Sequence, residues 1–431
     1  MKKVLSSTFF MLFTILVLTA CSSGASNGQS AEGESNGGKS SDSDKVTVQF
    51  WTLSDDSGMY EPIIEDFEEA NPDIKIEMST RAVDAHKEAL KVAASSGTLP
   101  TAWFNWGGTL GSFYPENGLT LDLTENASQD GWDGEFQEAA LNLVKYEDQL
   151  SGVPISLNGL GIFYRKDIFD QYGLEEPSTF EEFESIMATL KENGITPISV
   201  GGKFGWHTMR FTEVVLEHFA GPEVKDKLIN LEESWDHDSV QKTYDKLHEW
   251  NEKGYFPEGF ITIDPNEAKM PFYSGDAAMQ LEGPWFDTNM IADGFDIESV
   301  GVFPFPTEQS PQRISSFAEM IQISSDATEA EQEAAIKFAL YTTSEEVVEN
   351  HKDVVKFPLP RKDAFVPEGL PHVTELNEFM KEGNFLITDQ ALPQDLVTKF
   401  FEAQDKIITG ELTTEEAVEL MKKSADEVAN Q

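Results

Sequence analysis

Four side chains that can bind a small molecule follow two predicted strands, at the point where each strand ends. Trp51 ends the alternating apolar segment KVTVQFWT, and Asp55 follows on a polar turn. Asn105 and Trp106 end another strand and precede two glycines. In open α/β sheets, ligands lie beyond the carboxyl ends of the strands. Because aromatic rings stack on apolar faces while Asp and Asn exchange hydrogen bonds, we expect noncovalent ligand binding here.

No catalytic signature accompanies these side chains. The chain has no Gly-x-Ser-x-Gly motif, and the glycine-rich segment 107–111 lacks the lysine that follows in a phosphate-binding loop. His248 and Glu249 begin like a zinc-protease motif, but Glu252 and Lys253 stand where its second histidine would be. The single cysteine excludes an intramolecular disulfide and any multi-cysteine metal site. We therefore expect no enzymatic activity, no metal and no cofactor.

Strand and helix patterns alternate along the chain, which predicts an α/β fold with a mostly parallel sheet. A helical pattern over 60–70 stops at Asn71-Pro72, a strand follows over 74–78, and Asp84 is expected to cap the next helix. Further strands are predicted at 101–105, 198–201, 277–281 and 300–305, and further helices at 180–192, 209–219, 239–253 and 328–342, the last capped by Thr328 with Glu331.

The first 44 residues predict export and anchoring signals rather than a folded element. Residues 1–20 join two lysines to an apolar run too short to span a membrane, as in a cleaved signal peptide. Leu18-Thr19-Ala20-Cys21 resembles the lipobox of bacterial lipoproteins, whose cysteine is acylated with diacylglycerol, palmitate being a typical acyl chain. Residues 21–44 are polar and predict a disordered tether of ~25 Å. We expect a lipid anchor at Cys21 on the outer face of the cytoplasmic membrane.

Size and charge restrict the remaining possibilities. About 385 residues follow the tether, more than one hydrophobic core usually accommodates, so two lobes are expected. The chain has 31 basic and 77 acidic residues and a formal net charge of -46. Nucleic acid and anionic lipid need cationic patches on their partner, so this acidic protein is not expected to bind either. Membrane contact would then occur only through the lipid.

Several long segments resemble family 1 extracellular solute-binding proteins, the carbohydrate receptors of ABC importers. They are IIEDFEEANPDIKIE, KVAASSGTLPTAWFNWGG, SGVPISLNGLGIFYRKDIFDQYGLEEPSTFEEF and DAAMQLEGPWF. The resemblance runs from about Val46 to Lys362 and weakens over the last 60 residues. It implies a two-lobed α/β fold of the periplasmic-binding-protein (maltose-binding-protein) type, with the ligand cleft between the lobes.

The resemblance also implies a division of the chain and a set of partners. Lobe one would comprise 45–157 and 282–345, and lobe two 158–281 and 346–431. The chain would cross between lobes in the segment around SGVPISLNG and return in DAAMQLEGPWF. A monomer of this kind captures a carbohydrate, expected to be an oligosaccharide, and delivers it to the permease subunits of an ABC transporter.

Both the residue pattern and the family resemblance indicate candidate ligand-binding residues. The resemblance adds Trp285, a stacking tryptophan beside the hinge, Trp206 on a glycine-rich turn, and Asn158 on the crossing strand. From the residues alone we add Glu319 on lobe one and Arg361, since arginine suits bidentate recognition of hydroxyl pairs. These five join Trp51, Asp55, Asn105 and Trp106, for which core packing (Trp51) and helix capping (Asp55) remain open.

Two other functions remain open. The same fold could bind a non-sugar solute such as a polyamine, since acidic clefts suit cations. A membrane-anchored glycoside hydrolase needs two carboxylates at a defined separation, but 77 acidic residues make such pairs uninformative.

Overall fold

Two mixed β-sheets organise the part of the chain that the computed structural model describes, residues 45–352, 354–355, 359–362 and 369–430. The predicted signal peptide, Cys21 and the tether lie outside these residues. The larger sheet contains β1 (Val46–Leu53), β2 (Ile74–Arg81), β3 (Ala102–Trp106), β6 (Val153–Gly159), β11 (Ile314–Ile323) and β12 (Asn384–Leu386). The smaller sheet contains β7 (Gly161–Arg165), β8 (Thr196–Ile198), β9 (Ala277–Glu282) and β10 (Val300–Phe303). A short hairpin is formed by β4 (Lys145–Tyr146) and β5 (Gln149–Leu150).

Parallel and antiparallel pairings are combined in both sheets. The expected mostly parallel sheet is found in the larger one, where three of five pairings are parallel, and not in the smaller one, where one of three is. In the larger sheet β1 runs parallel to β2 and β3, whereas β11 runs antiparallel to β3 and β6 and parallel to β12. In the smaller sheet β8 and β9 are parallel, and β7 is antiparallel to β9 and β10. The antiparallel pairs arise because strands arriving from the other sheet are added to local β-α units.

The chain crosses between the sheets at the end of β6 and again before β11. Leu160 separates β6 in the larger sheet from β7 in the smaller one, at the segment where the crossing was expected. The return lies at 304–313, between β10 and β11, and not at DAAMQLEGPWF, because β9 and β10 both belong to the smaller sheet. Strands β10 and β12 therefore lie in the sheets opposite to those expected from the predicted lobe boundaries.

Helices cover the faces and edges of both sheets. They are α1 (Ser57–Ala70), α2 (Val83–Ser96), α3 (Gly108–Glu116), α4 (Thr124–Asp130), α5 (Glu138–Leu143), α6 (Lys166–Tyr172), α7 (Phe180–Glu192), α8 (Trp206–Ile229), α9 (Asp238–Glu252), α10 (Lys269–Ser274), α11 (Trp285–Ala292), α12 (Glu329–Tyr341), α13 (Glu345–Asn350), α14 (Pro371–Glu382), α15 (Thr388–Ala391), α16 (Gln394–Ile408) and α17 (Thr414–Ala429). None of the helices in the described ranges is both long and apolar enough to cross a membrane.

Local capping signals account for several helix starts. Thr328 and Glu331 form the predicted reciprocal capping box at the start of α12. The side chain of Thr179 accepts a hydrogen bond from the backbone N–H of Glu182, which starts α7 where the apolar periodicity predicted it. Asp84, in contrast, lies in the first turn of α2 and is not its cap, since the helix begins at Val83.

Aromatic side chains connect the sheets to their helices. Phe50 on β1 packs edge-on against Tyr60 of α1 at 5.1 Å and Phe338 of α12 at 5.3 Å between ring centroids. In the smaller sheet Phe163 of β7 contacts Phe286 of α11 at 5.1 Å. Edge-to-face pairs of this kind add to the free energy of burying the rings. These contacts fix the strands against their helices and thereby position the side chains at the strand ends.

Candidate ligand-binding cleft

An open cleft of about 1230 Å³, part of it open to solvent, lies where strand ends and helix starts from both sheets meet. Six of the nine candidate residues line it: Asp55, Trp106, Asn158, Trp206, Trp285 and Glu319. The structure thus brings together side chains that are up to 264 positions apart in the sequence, from Asp55 to Glu319. Clefts of this kind, lined by aromatic rings and a few polar groups, are typical ligand sites.

Three tryptophans enter the cleft from different elements. Trp106 ends β3, Trp206 begins α8, and Trp285 begins α11. The Arg210 guanidinium lies between two of them, with its central carbon 4.9 Å from the Trp206 ring and 5.2 Å from the Trp285 ring. Such cation–π contacts hold the rings in fixed orientations. The cleft therefore has rigid aromatic faces.

The carboxylate of Glu282, at the end of β9, fixes this aromatic cluster. Its Oε2 accepts hydrogen bonds from Arg210 Nη1 at 2.7 Å and Trp285 Nε1 at 2.9 Å. Its Oε1 accepts from Gln280 Nε2 at 2.7 Å and lies 3.3 Å from His207 Nε2. Burial acts to raise the pKa of Glu282, but Arg210 and His207 outweigh it and lower this pKa to about 2. Glu282 is therefore ionised throughout the ordinary pH range.

A second buried carboxylate, Glu319 of β11, lies on the side of the larger sheet. Its Oε2 accepts hydrogen bonds from Ser156 Oγ at 2.6 Å and Asn158 Nδ2 at 3.1 Å. Burial raises the pKa of Glu319 to about 7, the nearby Asp56 carboxylate adds to the increase, and the two hydrogen bonds only partly oppose it. Asn158 is 1% exposed, and its Oδ1 has no hydrogen-bond partner among the described residues. This oxygen is available to a ligand.

Several polar residues that line the cleft were not among the candidates from the sequence. They include Glu282, Lys87 of α2, and Asp389 and Gln390 of α15. Lys87 lies in a helix with no motif that sets it apart from other charged residues, and Glu282 lies in the segment DAAMQLEGPWF, whose family resemblance indicated only Trp285 as a ligand contact. Asp389 and Gln390 lie in the last 60 residues or so, where the family resemblance is weak. An acidic residue in a four-residue helix carries no sequence signal that places it in a cleft.

The two glycines after Trp106 lie where other parts of the backbone approach closely. A Cβ on Gly107 would lie 2.5 Å from the Leu143 carbonyl oxygen, and one on Gly108, whose φ is +60°, would lie 2.2 Å from the Gln390 carbonyl oxygen. Only glycine fits both positions. Gly108 allows the backbone of α15 to approach the start of α3, and Gly107 allows the end of α5 to approach it.

Trp51 and Asn105 do not line the cleft. The Trp51 ring lies 3.9 Å from the guanidinium carbon of Arg81 and packs beside Trp103 in a separate cluster. Asn105 is 4% exposed; it donates to Gln322 Oε1 at 2.8 Å and accepts from the Trp106 N–H at 2.9 Å. Asn105 thus supports the strand end and does not face a ligand.

Arg361 also lies away from the cleft. Its Nε donates to the Thr343 carbonyl oxygen at 2.6 Å, and its Nη2 donates to the Leu340 carbonyl oxygen at 3.2 Å. Its remaining charge is paired with Glu135. The guanidinium is used to connect the end of α12 to a surface carboxylate. In the described part of the chain, no group of three or more His, Cys, Asp or Glu side chains could hold a metal ion.

Sequence comparison relates this chain to a known family. Residues 51–349 match the profile of the bacterial extracellular solute-binding proteins. A Mesorhizobium japonicum protein named "Probable sugar-binding periplasmic protein" is 27% identical over 80% of this chain and 84% of its own length. The "Multiple sugar-binding protein" of Streptococcus mutans is 25% identical over 74% of this chain and 76% of its own length.

Solved structures share the fold. A protein studied for xylan utilisation by the thermophilic bacterium Caldanaerobius polysaccharolyticus superposes with a TM-score of 0.79 at 21% identity, covering 88% of this chain and 99% of its own. A chitin oligosaccharide binding protein gives 0.79 at 22% identity, covering 89% and 99%. The maltose/maltodextrin-binding domain of Bdellovibrio bacteriovorus gives 0.72 at 17% identity, covering 90% and 100%. The fold is therefore the two-lobed α/β fold of the maltose-binding-protein type.

Proposed function

The chain belongs to the bacterial extracellular solute-binding proteins, and on that basis we propose that it captures a carbohydrate outside the cytoplasm and delivers it to an ABC transporter permease. One observation carries the proposal. Trp106, Trp206 and Trp285 surround one cleft, together with buried oxygens of Asn158 and Gln280 that lack hydrogen-bond partners in the described ranges. Sugars present apolar C–H faces and hydroxyl edges, and this set of groups complements both.

Binding is proposed to stabilise a closed arrangement of two lobes. Lobe one would contain the larger sheet, and lobe two the smaller sheet together with α9, α16 and α17, which pack against each other. The connections at Leu160 and at 304–313 would act as the hinge. A ligand that contacts both lobes binds the closed form more tightly and so shifts the population toward it.

Isothermal titration calorimetry and tryptophan fluorescence with maltotriose, xylotriose, chitotriose and spermidine test this function. We expect at least one of the three sugars to quench emission and raise the melting temperature. Trp285→Ala should weaken binding of that sugar by about 30-fold. Trp51→Ala, outside the cleft, is the matched control and should leave the affinity unchanged. Binding of spermidine alone would favour the polyamine alternative, and no response to any of the four would refute the proposal.

Hydrolysis provides a separate check on the hydrolase alternative. Hydrogen-bond donors hold the cleft carboxylates Glu282 and Glu319 in place, and the family consists of binding proteins. We therefore propose that the protein binds its solute without altering it. Release of reducing ends from any of the three sugars during a day of incubation would contradict this.

The location is proposed to depend on Cys21, in the sequence Leu18-Thr19-Ala20-Cys21. Acylation of this thiol would keep the receptor near its transporter on a tether of ~25 Å. Cys21→Ser should move the protein from the membrane fraction to the soluble extracytoplasmic fraction. Retention of the variant in the membrane fraction would argue against the anchor.

A further inference from the structure

Helix α15, which follows the region matched by the family profile, is fixed between two other helices. The backbone N–H and the hydroxyl of Thr388, the first residue of α15, donate to Glu213 Oε2 of α8, with donor–acceptor distances of 2.8 and 2.9 Å. On the other side, Thr109 Oγ1 of α3 donates to the Leu392 carbonyl oxygen at 2.7 Å. Gly108 leaves room for the Gln390 carbonyl oxygen. The position of α15 is therefore determined on both sides.

Two side chains of α15 face the cleft with unused acceptor atoms. Asp389 is 7% exposed and Gln390 is 2% exposed, and both line the cleft. Asp389 Oδ1 and Gln390 Oε1 accept no hydrogen bond from any of the described residues. Burying a carboxylate or an amide oxygen without a donor is costly, so such atoms are rare unless a ligand or water completes them.

Lys87 supplies the complementary charge from α2. Its ammonium lies 4.7 Å from the centre of the Trp106 ring and 5.8 Å from that of Trp206. Within the described ranges it forms no ion pair and donates no hydrogen bond. Burial lowers its pKa, while the electrostatic attraction of Asp389 acts in the opposite direction. Burial likewise raises the pKa of Asp389, and the charges of Lys87 and Arg210 oppose that increase. A basic and an acidic side chain thus line the same cleft, close enough to attract each other when charged and without direct contact.

We propose that Lys87, Asp389 and Gln390 form a subsite for a neutral vicinal diol of a sugar ring, and that it excludes uronic acids and amino sugars. This rests on the proposed carbohydrate function. A hydroxyl can accept from the ammonium and donate to the carboxylate, and its neighbour can donate to Gln390. A ligand carboxylate would be placed against Asp389, and a ligand ammonium against Lys87. The rings of Trp106 and Trp206 beside Lys87 allow the same sugar to stack.

Matched neutral and charged ligands test the subsite in the full-length protein. The pairs are chitotriose with the chitosan trimer, which carries ammonium groups, and xylotriose with aldotriouronic acid, which carries a carboxylate. The native protein should bind the neutral member of a pair at least tenfold more tightly than its charged counterpart. Lys87→Met and Asp389→Asn should each weaken binding of the neutral sugar by about 10- to 100-fold, since each removes a charged hydrogen-bonding group.

The charge preference distinguishes a ligand contact from a structural role. Lys87→Met should reduce discrimination against the chitosan trimer, and Asp389→Asn should reduce discrimination against aldotriouronic acid, each by tenfold or more. Lys91→Met, one turn further along α2, and Asp395→Asn, on α16, are exposed and serve as controls that should change neither ratio. Melting temperatures of all four variants verify folding.

Two results would overturn the inference. One is tighter native binding of a charged member than of its neutral counterpart. The other is neutral-to-charged ratios in Lys87→Met and Asp389→Asn that stay within twofold of the native ratios. Failure of the carbohydrate function itself would be recognised differently, because the native protein would then bind none of the sugars before any variant was made.

Discussion

Two buried carboxylates in the same cleft differ by about five units in pKa: Glu282 near 2 and Glu319 near 7. Burial raises the pKa of both. Glu282 has four polar neighbours, of which Arg210 carries a full positive charge, whereas the donors that reach Glu319 from the described residues are the hydroxyl of Ser156 and the amide of Asn158. Neutral donors compensate burial only in part, while a cation in contact reverses its effect.

The difference divides the cleft into a permanently ionised side and a titratable side. The Glu282 side orients the aromatic rings of Trp206 and Trp285 through Arg210. The Glu319 side can exchange a proton near neutral pH and can therefore donate to or accept from a hydroxyl.

The substitution Glu282→Gln should destabilise the protein strongly, because it leaves Arg210 as a buried cation without its partner. We expect the free energy of unfolding to fall by about 3–5 kcal/mol, measured by urea denaturation at pH 7.5. Glu319→Gln is the matched control, with the same change in the same cleft, and should not destabilise the protein at this pH. Equal losses for the two variants would refute the distinction between the two sides.

The Glu319 side should make stability depend on pH. The pKa of Glu319 is about 7 in the folded protein and 4.5 is its ordinary value. Between these values the folded state holds a proton that the unfolded state has lost, so the free energy of unfolding falls as pH rises from about 4.5 to about 7. The decrease is on the order of 3 kcal/mol for this group.

Urea unfolding of native protein and Glu319→Gln at pH 5, 6, 7 and 8 measures this contribution. The difference between the two curves should increase in favour of the variant up to pH 7 and then stay constant. A difference that does not change with pH would contradict the raised pKa.

The variant Trp285→Phe keeps an aromatic ring in the cleft and removes one donor to Glu282. Because Gln280, Arg210 and His207 remain beside the carboxylate, we expect a loss of only about 1.5 kcal/mol in the free energy of unfolding. Thermal unfolding of this variant beside Glu282→Gln gives the comparison. A loss as large as that of Glu282→Gln would mean that Trp285, rather than Arg210, holds the carboxylate in place.

The smallest effect concerns binding. Closing the cleft over a sugar buries Glu319 further and should raise its pKa again, so binding takes up protons. The affinity of the native protein should then fall by about fivefold from pH 6 to pH 8, for a further shift of one unit. Calorimetric titration of the bound sugar at both values tests this, and Glu319→Gln should show no such change. A pH-dependent affinity retained by the variant would assign the effect to another group.

Sequence patterns were sufficient where the interaction is local. The capping box of α12 and the extent of α7 follow from residues within four positions of each other. The pattern at strand ends identified both Trp51 and Trp106 but could not separate them. In the sheet Trp51 pairs with Trp103, three positions before Trp106. Since side chains alternate between the faces of a strand, Trp106 faces opposite to this pair.

The sequence alone determined the class of the protein: an α/β fold, the family resemblance, and six of the cleft residues, which are Asp55, Trp106, Asn158, Trp206, Trp285 and Glu319. The tertiary structure decided the membership of the two sheets, the ionisation of the cleft, and the addition of Lys87, Asp389 and Gln390. The physical reason is that burial and charge compensation depend on residues far apart in the chain, as with Asn158 and Glu319, 161 positions apart. No local pattern records which distant donor will meet a given carboxylate.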